Sequence, residues 1–162
     1  MKPIIGLFGT CGGSKWRDDF IRRYKRLDIS FYNPQKDDWK PEDAQEEAEH
    51  LLKDDIILFP VTGETFGFGS LGETGFSILA TLTSGSNRFV VIFIDPELDA
   101  DLVENYPKVA KDAKNARSIV LAHLAKVSLP NVYVVNDLTD MLVLSLELYK
   151  VCEMLNKISE KR

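Results

Sequence analysis

Arg88-Phe89-Val90-Val91-Ile92-Phe93-Ile94, stopped by Asp95-Pro96, holds an unbroken apolar run of β-branched and aromatic residues. A strand with one wet face alternates apolar and polar side chains, whereas a run with no polar face has to be covered on both sides. Such a strand belongs inside a parallel sheet. The number of similar runs, and what separates them, decides the rest.

Working outward, Asp55 to Pro60 reads as the strand before it and Asn131 to Val135 as the strand after it. Pro3 to Gly9 and the short Ile29 to Tyr32, closed by Asn33-Pro34, complete a set of five. The segments between them have helical spacing. One helix is predicted from about Lys15 to Leu27, and another, with Pro41 at its first turn, runs to about Lys53. A third spans about Ser70 to Ser84, with Gly85-Ser86-Asn87 as its stop signal. Leu98 to about Val127 is helical with a break near Pro107. Asp137 is an N-cap candidate for a last helix carrying Leu138, Leu142, Leu146, Tyr149 and Leu155 at three-to-four-residue spacing. The expected fold is therefore a single three-layer α/β domain over residues 1–162. Its five-stranded parallel sheet takes the flavodoxin-like order 2-1-3-4-5, with helices on both faces.

Composition narrows the function. The 162 residues are 44% hydrophobic and 28% charged, which suits one globular domain with a real core. A formal net charge of −5 argues against a general binder of nucleic-acid polymers or anionic membranes. No apolar run reaches the roughly 18 residues of a membrane span, and the start of the chain is too short in apolar residues for a signal peptide, so a cytoplasmic protein is expected. Cys11 and Cys152 fit no paired motif, and His50 and His123 lie far apart. No metal and no cofactor are expected.

In an open parallel sheet, ligands bind beyond the carboxyl ends of the strands, where the strand order reverses. Four loops meet that condition. The first, Gly9-Thr10-Cys11-Gly12-Gly13-Ser14-Lys15-Trp16-Arg17, could bring backbone N–H groups to a phosphate or sugar, or could simply be a tight turn. Trp16 and Arg17 add a planar ring and a fork of donors, unless the ring packs on the sheet and the guanidinium faces water. In the second loop Asn33 can be a turn residue, Asp37 and Asp38 a solvated pair, and Trp39 a stacking platform or an edge of the core. The third contains Phe66-Gly67-Phe68-Gly69-Ser70-Leu71-Gly72-Glu73-Thr74-Gly75, where Ser70 and Glu73 have the spacing of a capping box. The fourth runs from Asp95 to Asn105. Asp55, opening an apolar strand, would be costly to bury without a partner and is also a candidate.

Taken together, these segments resemble the nucleoside 2-deoxyribosyltransferase superfamily. The likeness is carried by Trp16-Arg17, by Phe31-Tyr32-Asn33-Pro34 with Asp37-Asp38-Trp39, and by Asp55-Ile56-Ile57. Ser70-Leu71-Gly72-Glu73-Thr74-Gly75 and the helical Ala116-Arg117-Ser118-Ile119-Val120-Leu121-Ala122-His123-Leu124 extend it over nearly the whole chain. The resemblance implies a retaining transfer in which Glu73 attacks the anomeric carbon of a 2′-deoxynucleoside and holds the sugar as an ester. A second base, or water, then releases it. It implies that Asp55 is the aspartate near the base. Asn33, Asp38 and Trp39 would border sugar and base, with Gly9, Thr10, Gly12, Trp16, Arg17, Gly69 and Ser70 lining the pocket. The substrates implied are a nucleoside or nucleotide and a free nucleobase, and at least a dimer is implied, since relatives complete the site with a neighbouring subunit.

Two positions depart from that pattern. Where the transferases carry a second aspartate six residues before the nucleophile, this chain has Gly67, and where they carry a tyrosine in the first strand it has Leu7. Ser70, Thr10 or Glu64 could take over the missing contacts. A helix N-terminus would favour an ionised, nucleophilic Glu73. Base exchange, hydrolysis of a nucleoside or its 5′-phosphate (with Lys15 and Arg17 as phosphate ligands), and nucleotide sensing without turnover all follow from the same pocket.

Overall fold

The computed structural model describes residues 2–38, 40–83 and 88–160. The chain runs β1 (Ile5–Leu7), α1 (Trp16–Arg26), β2 (Phe31–Tyr32), α2 (Asp43–Lys53), β3 (Ile56–Val61), α3 (Phe68–Thr83), β4 (Phe89–Ile94), α4 (Ala100–Asn105), α5 (Pro107–Leu124), β5 (Val132–Val134) and α6 (Leu138–Ser159). All four strand pairings are parallel and the order across the sheet is β2-β1-β3-β4-β5, as expected. The run that opens the sequence reading is β4. It pairs along its whole length with β3, Ile56 opposite Phe89 through Val61 opposite Ile94.

Strand geometry sorts the core into two. Successive side chains point to opposite faces, so Ile56 and Leu58 join Ile5, Leu7 and Val91 on one side, under Phe20 and Tyr24 of α1 and Met141, Leu148 and Tyr149 of α6. Ile57, Phe59 and Val61 join Phe8, Val90, Ile92 and Ile94 on the other, under Leu71 of α3, Leu124 of α5 and Leu51 of α2. Each fully buried side chain of this kind stabilises the fold by roughly 1.5–3 kcal/mol. Among the described residues no helix is long and apolar enough to cross a membrane.

Several boundaries shift from expectation, β1 shortening to Ile5–Leu7 and β5 to Val132–Val134, and two of the shifts have a clear local cause. The second strand is reduced to Phe31 and Tyr32, because it lies at the sheet edge with only β1 to pair with. Helix α3 begins two residues before Ser70. Gly67 has φ +72°, a region glycine enters at little cost, and its carbonyl already accepts from the Leu71 N–H at 2.9 Å. Ser70 and Glu73 are therefore inside the helix, and the capping-box reading is corrected. The stop signal at Gly85-Ser86-Asn87 lies outside the described residues.

Candidate active site

The carboxyl ends of β1 and β3 are locked by the loop between β1 and α1. Gly9 has φ +89°, and a Cβ there would lie 2.4 Å from the Pro60 carbonyl oxygen, so only glycine lets the chain turn so close to β3. Thr10 follows, donating its N–H to Pro60 O at 2.8 Å and accepting the Thr62 N–H on Oγ1 at 2.9 Å. The turn leaves several strand-end carbonyls without a sheet partner. Arg17 gathers them: Nε donates to Leu7 O (3.0 Å), Nη1 to Thr10 O (2.5 Å) and Nη2 to Gly9 O (3.4 Å). Its guanidinium lies 4.6 Å from the ring centroid of Trp16, whose indole N–H also donates to Thr10 O at 3.0 Å.

Trp16 and Arg17 are both buried. This corrects their expected roles as a stacking ring and a free fork donor. Trp16 packs edge-on against Phe20 in the core, and Arg17 spends its donors on the loop's own backbone, because a buried carbonyl without a partner costs more than an exposed cation gains. Burial pulls the Arg17 pKa down, opposed by Cys11, Glu47 and Glu73. Glu47 and Glu73 thus lie within electrostatic reach of the Arg17 guanidinium and of each other.

Glu73 lies a turn and a half inside α3 and is half-buried. Its carboxyl is pushed above the usual carboxylate range, first by burial and then by Glu47 of α2, with Arg17 acting in the opposite direction. The direction is the reverse of that expected from a helix N-terminus. At the sixth residue of the helix the dipole has faded, since its effect falls off within the first turn, and desolvation decides. A shielded carboxyl near a second carboxylate and a fixed guanidinium can hold a proton at pH values where an exposed one is ionised, and can act as base or nucleophile once it has lost that proton.

A second carboxylate stands on the loop after β3. Glu64 accepts hydrogen bonds from Thr62 Oγ1 (2.5 Å) and from the Ser14 hydroxyl. It borders an open cleft of about 480 Å³ beyond β3 and β4, lined also by Phe93, Asp95, Asp99, Asp137 and Thr139. Glu73 does not line that cleft. Beneath it, buried Arg117 of α5 donates to the carbonyls of Val61 (3.1 Å), Thr62 (2.9 Å), Thr65 (2.8 Å) and Asp95 (2.6 Å), tying the β3 and β4 loops together.

The other expected residues are distributed as follows. Gly12, with φ +75°, and Lys15, the residue before α1, are exposed on the first loop. Asn33 accepts the Gln35 N–H on Oδ1 at 3.2 Å, a turn role, and exposed Asp38 meets Lys40 at 3.5 Å. Trp39 lies outside the described residues. Gly69 is exposed and Ser70 half-buried on α3, where the Ser70 carbonyl accepts the Thr74 hydroxyl at 2.7 Å. Asp55 is corrected outright. It precedes β3 at the amino edge of the sheet, where Oδ2 accepts the Ile4 N–H at 2.9 Å, and a strand's length separates it from the loops around Glu73.

Glu47 and Arg117 were the residues that sequence reading did not single out. Glu47 looks like part of a solvated acidic run, Gln45-Glu46-Glu47, and nothing in its spacing distinguishes it. Arg117 does leave a signal, an arginine within the otherwise apolar-faced Ala116 to Leu124 segment.

No protein-family model matches the chain, and no curated protein matches it. The crystal structure of a conserved protein from Enterococcus faecalis is similar, with a TM-score of 0.51 at 17% identity, covering 93% of this chain and 98% of that one. Likeness at that identity extends to the single α/β domain with its all-parallel sheet.

Proposed function

We propose that this chain exchanges the base of 2′-deoxynucleosides through a deoxyribosyl ester on Glu73. The observation that carries the reading is the environment of Glu73, a shielded carboxyl on the first turns of α3 with Arg17 and Glu47 as its charged neighbours. The likeness to deoxyribosyltransferases at Ser70 to Gly75 supplies the substrate class. In the first step a Glu73 oxygen bonds to the anomeric carbon, the C–N bond breaks, and the base leaves with the bonding pair and takes up a proton. A nitrogen of the incoming base then attacks the same carbon and expels the carboxylate. Configuration is retained through two inversions.

The nucleoside is preferred as substrate over its 5′-phosphate, since Arg17, one of the two cationic phosphate candidates, has its donors committed to Leu7, Gly9 and Thr10, leaving Lys15 alone on that loop. Gly9 and Thr10 are buried, so of the first loop's expected pocket residues only Gly12 is exposed to a substrate. The partners are a deoxynucleoside and a free nucleobase, with no cofactor, in a cytoplasmic setting.

Incubation with deoxyinosine, deoxyadenosine and deoxycytidine, with and without adenine, and chromatography of the products tests this. Exchanged nucleoside is expected, with the rate falling by roughly 10³-fold or more in Glu73→Ala. Free base without exchange would make the enzyme a hydrolase, and no cleavage of any nucleoside would overturn the reading.

A further inference from the structure

At the amino edge of the sheet, away from Glu73, a cavity of about 410 Å³ lies between the last turn of α1 and the middle of α6. That size falls within the roughly 300–1,000 Å³ of sites that hold small molecules. Leu27, Ile29 and Leu146 give it an apolar wall. Leu146, Tyr149, Lys150 and Glu153 follow one another on α6 at positions i, i+3, i+4 and i+7, so one helix face supplies a whole side of it.

Two features of this cavity are unexplained by the fold. The first is Tyr149, which lines it, is 4% exposed, and has a hydroxyl with no hydrogen-bond partner among the described residues. A buried hydroxyl without a partner costs stability. The same core shows the usual remedy, since Tyr24 pairs its hydroxyl with Ser145 Oγ at 2.6 Å. Tyr149 instead lies within electrostatic reach of Lys2, another residue of the cavity wall.

The second feature is charge. Lys2 is committed, because Nζ donates to Asp28 Oδ2 at 2.5 Å and to the Asp28 carbonyl at 3.3 Å, and Glu153 adds to the negative field on it. Arg23 and Lys150 line the same cavity and form no ion pair with any described residue, although Glu153 stands three residues beyond Lys150. Arg23 has a reason of its own, since the last turn of a helix favours a cation. Lys150, in the middle of α6, has none.

We infer that this cavity binds a small organic anion, an apolar body carrying one carboxylate or phosphate at its end. The anionic group sits between Arg23 and Lys150 and accepts the Tyr149 hydroxyl, while the body lies on Leu27, Ile29 and Leu146. A cationic ligand is disfavoured, because both carboxylates of the wall already act on Lys2. In a chain of net charge −5 the average field repels anions, so two uncompensated cations beside a donor make this a local exception.

The site is independent of the chemistry proposed for Glu73, and its probes are octanoate, octyl phosphate, octanol and octylammonium. In titrations of the isotope-labelled whole chain followed by amide NMR shifts, at least one of the two anions should saturate with a Kd of about 1 mM or tighter. The largest shifts should fall at Ile29, Tyr149 and Lys150, and octanol and octylammonium should bind at least tenfold more weakly. Arg23→Gln/Lys150→Gln, with far-UV circular dichroism unchanged, should bring the anion down to the affinity of octanol. Tyr149→Phe keeps the ring and should weaken the anion roughly threefold to tenfold while leaving octanol unchanged. Glu73→Ala should bind as wild type does. Absence of saturable binding by either anion would overturn the inference, as would shifts centred on Phe76 to Leu82 of α3. So would octylammonium binding more tightly than both anions, or an anion affinity that survives both the double variant and Tyr149→Phe.

Discussion

Glu73 is where residue chemistry makes a claim that can be measured as a pH profile. Attack on an anomeric carbon needs the ionised carboxylate, and burial together with Glu47 holds the Glu73 pKa above that of an exposed glutamate. The rate should therefore rise with pH through the raised pKa and be lost as pH falls below it. Glu47→Gln removes one of the two raising causes and leaves burial in place, so the acid limb should move to lower pH while the plateau rate changes little. An acid limb that stays in place, or moves up, would show that Glu73 does not titrate in the step being measured. The position of Glu73 was legible in the sequence, because a residue soon after the third strand of a parallel sheet must sit near the ligand edge. Its protonation was not. That depends on Glu47, which is 26 residues away in sequence and looks like any solvated glutamate of an amphipathic helix.

At the scale of the element, the start of α3 accounts for an absent carboxylate. Gly67 combines a left-handed φ of +72° with a crowded site, where a Cβ would lie 2.6 Å from Val61 Cγ1 and 3.2 Å from Arg117 Nη2. The side chain missing there is excluded by backbone and neighbours together. Gly67→Asp should lower stability by at least about 2 kcal/mol, combining strain at positive φ with overpacking against Val61, and should not raise the rate. Thermal unfolding and the exchange assay check both halves; a stable and faster variant would mean that the loop re-forms around an aspartate. The serine–glutamate spacing at Ser70 and Glu73 could mislead because a capping box is recognised by residue types alone, whereas the helix start here is set by the backbone conformation of the glycine before it. The first loop has the same character. Gly9 was readable as a tight turn, but the convergence of three carbonyls on Arg17 is a consequence of how closely β1 and β3 approach.

Across the whole molecule, strand order and layering were open to reading because they follow from a few strong constraints. Five apolar runs separated by helices demand a covered parallel sheet, and right-handed crossovers leave few orders for them. Parallelism also divides the molecule into two chemically distinct edges. All strands start at one edge and finish at the other, and β3, with six residues at about 3.3 Å each, holds those edges roughly 20 Å apart. Asp55 opens β3 and Glu73 follows its end, so the two carboxylates belong to different edges however similar their surroundings look along the chain. Asp55 instead secures the entrance of β1 into the sheet through the Ile4 N–H. Asp55→Asn keeps an oxygen for that bond but loses its charge, so it should cost about 1 kcal/mol of stability or less and leave the exchange rate within about threefold of wild type. Asp55→Ala, which removes the acceptor and leaves the Ile4 donor unpaired, should cost about 1–3 kcal/mol and again spare the rate at temperatures where the protein is folded. Measured beside Glu73→Ala, the pair separates the edges. A loss of rate in Asp55→Asn comparable to that in Glu73→Ala, with unfolding unchanged, would require the substrate to reach the amino edge of the sheet.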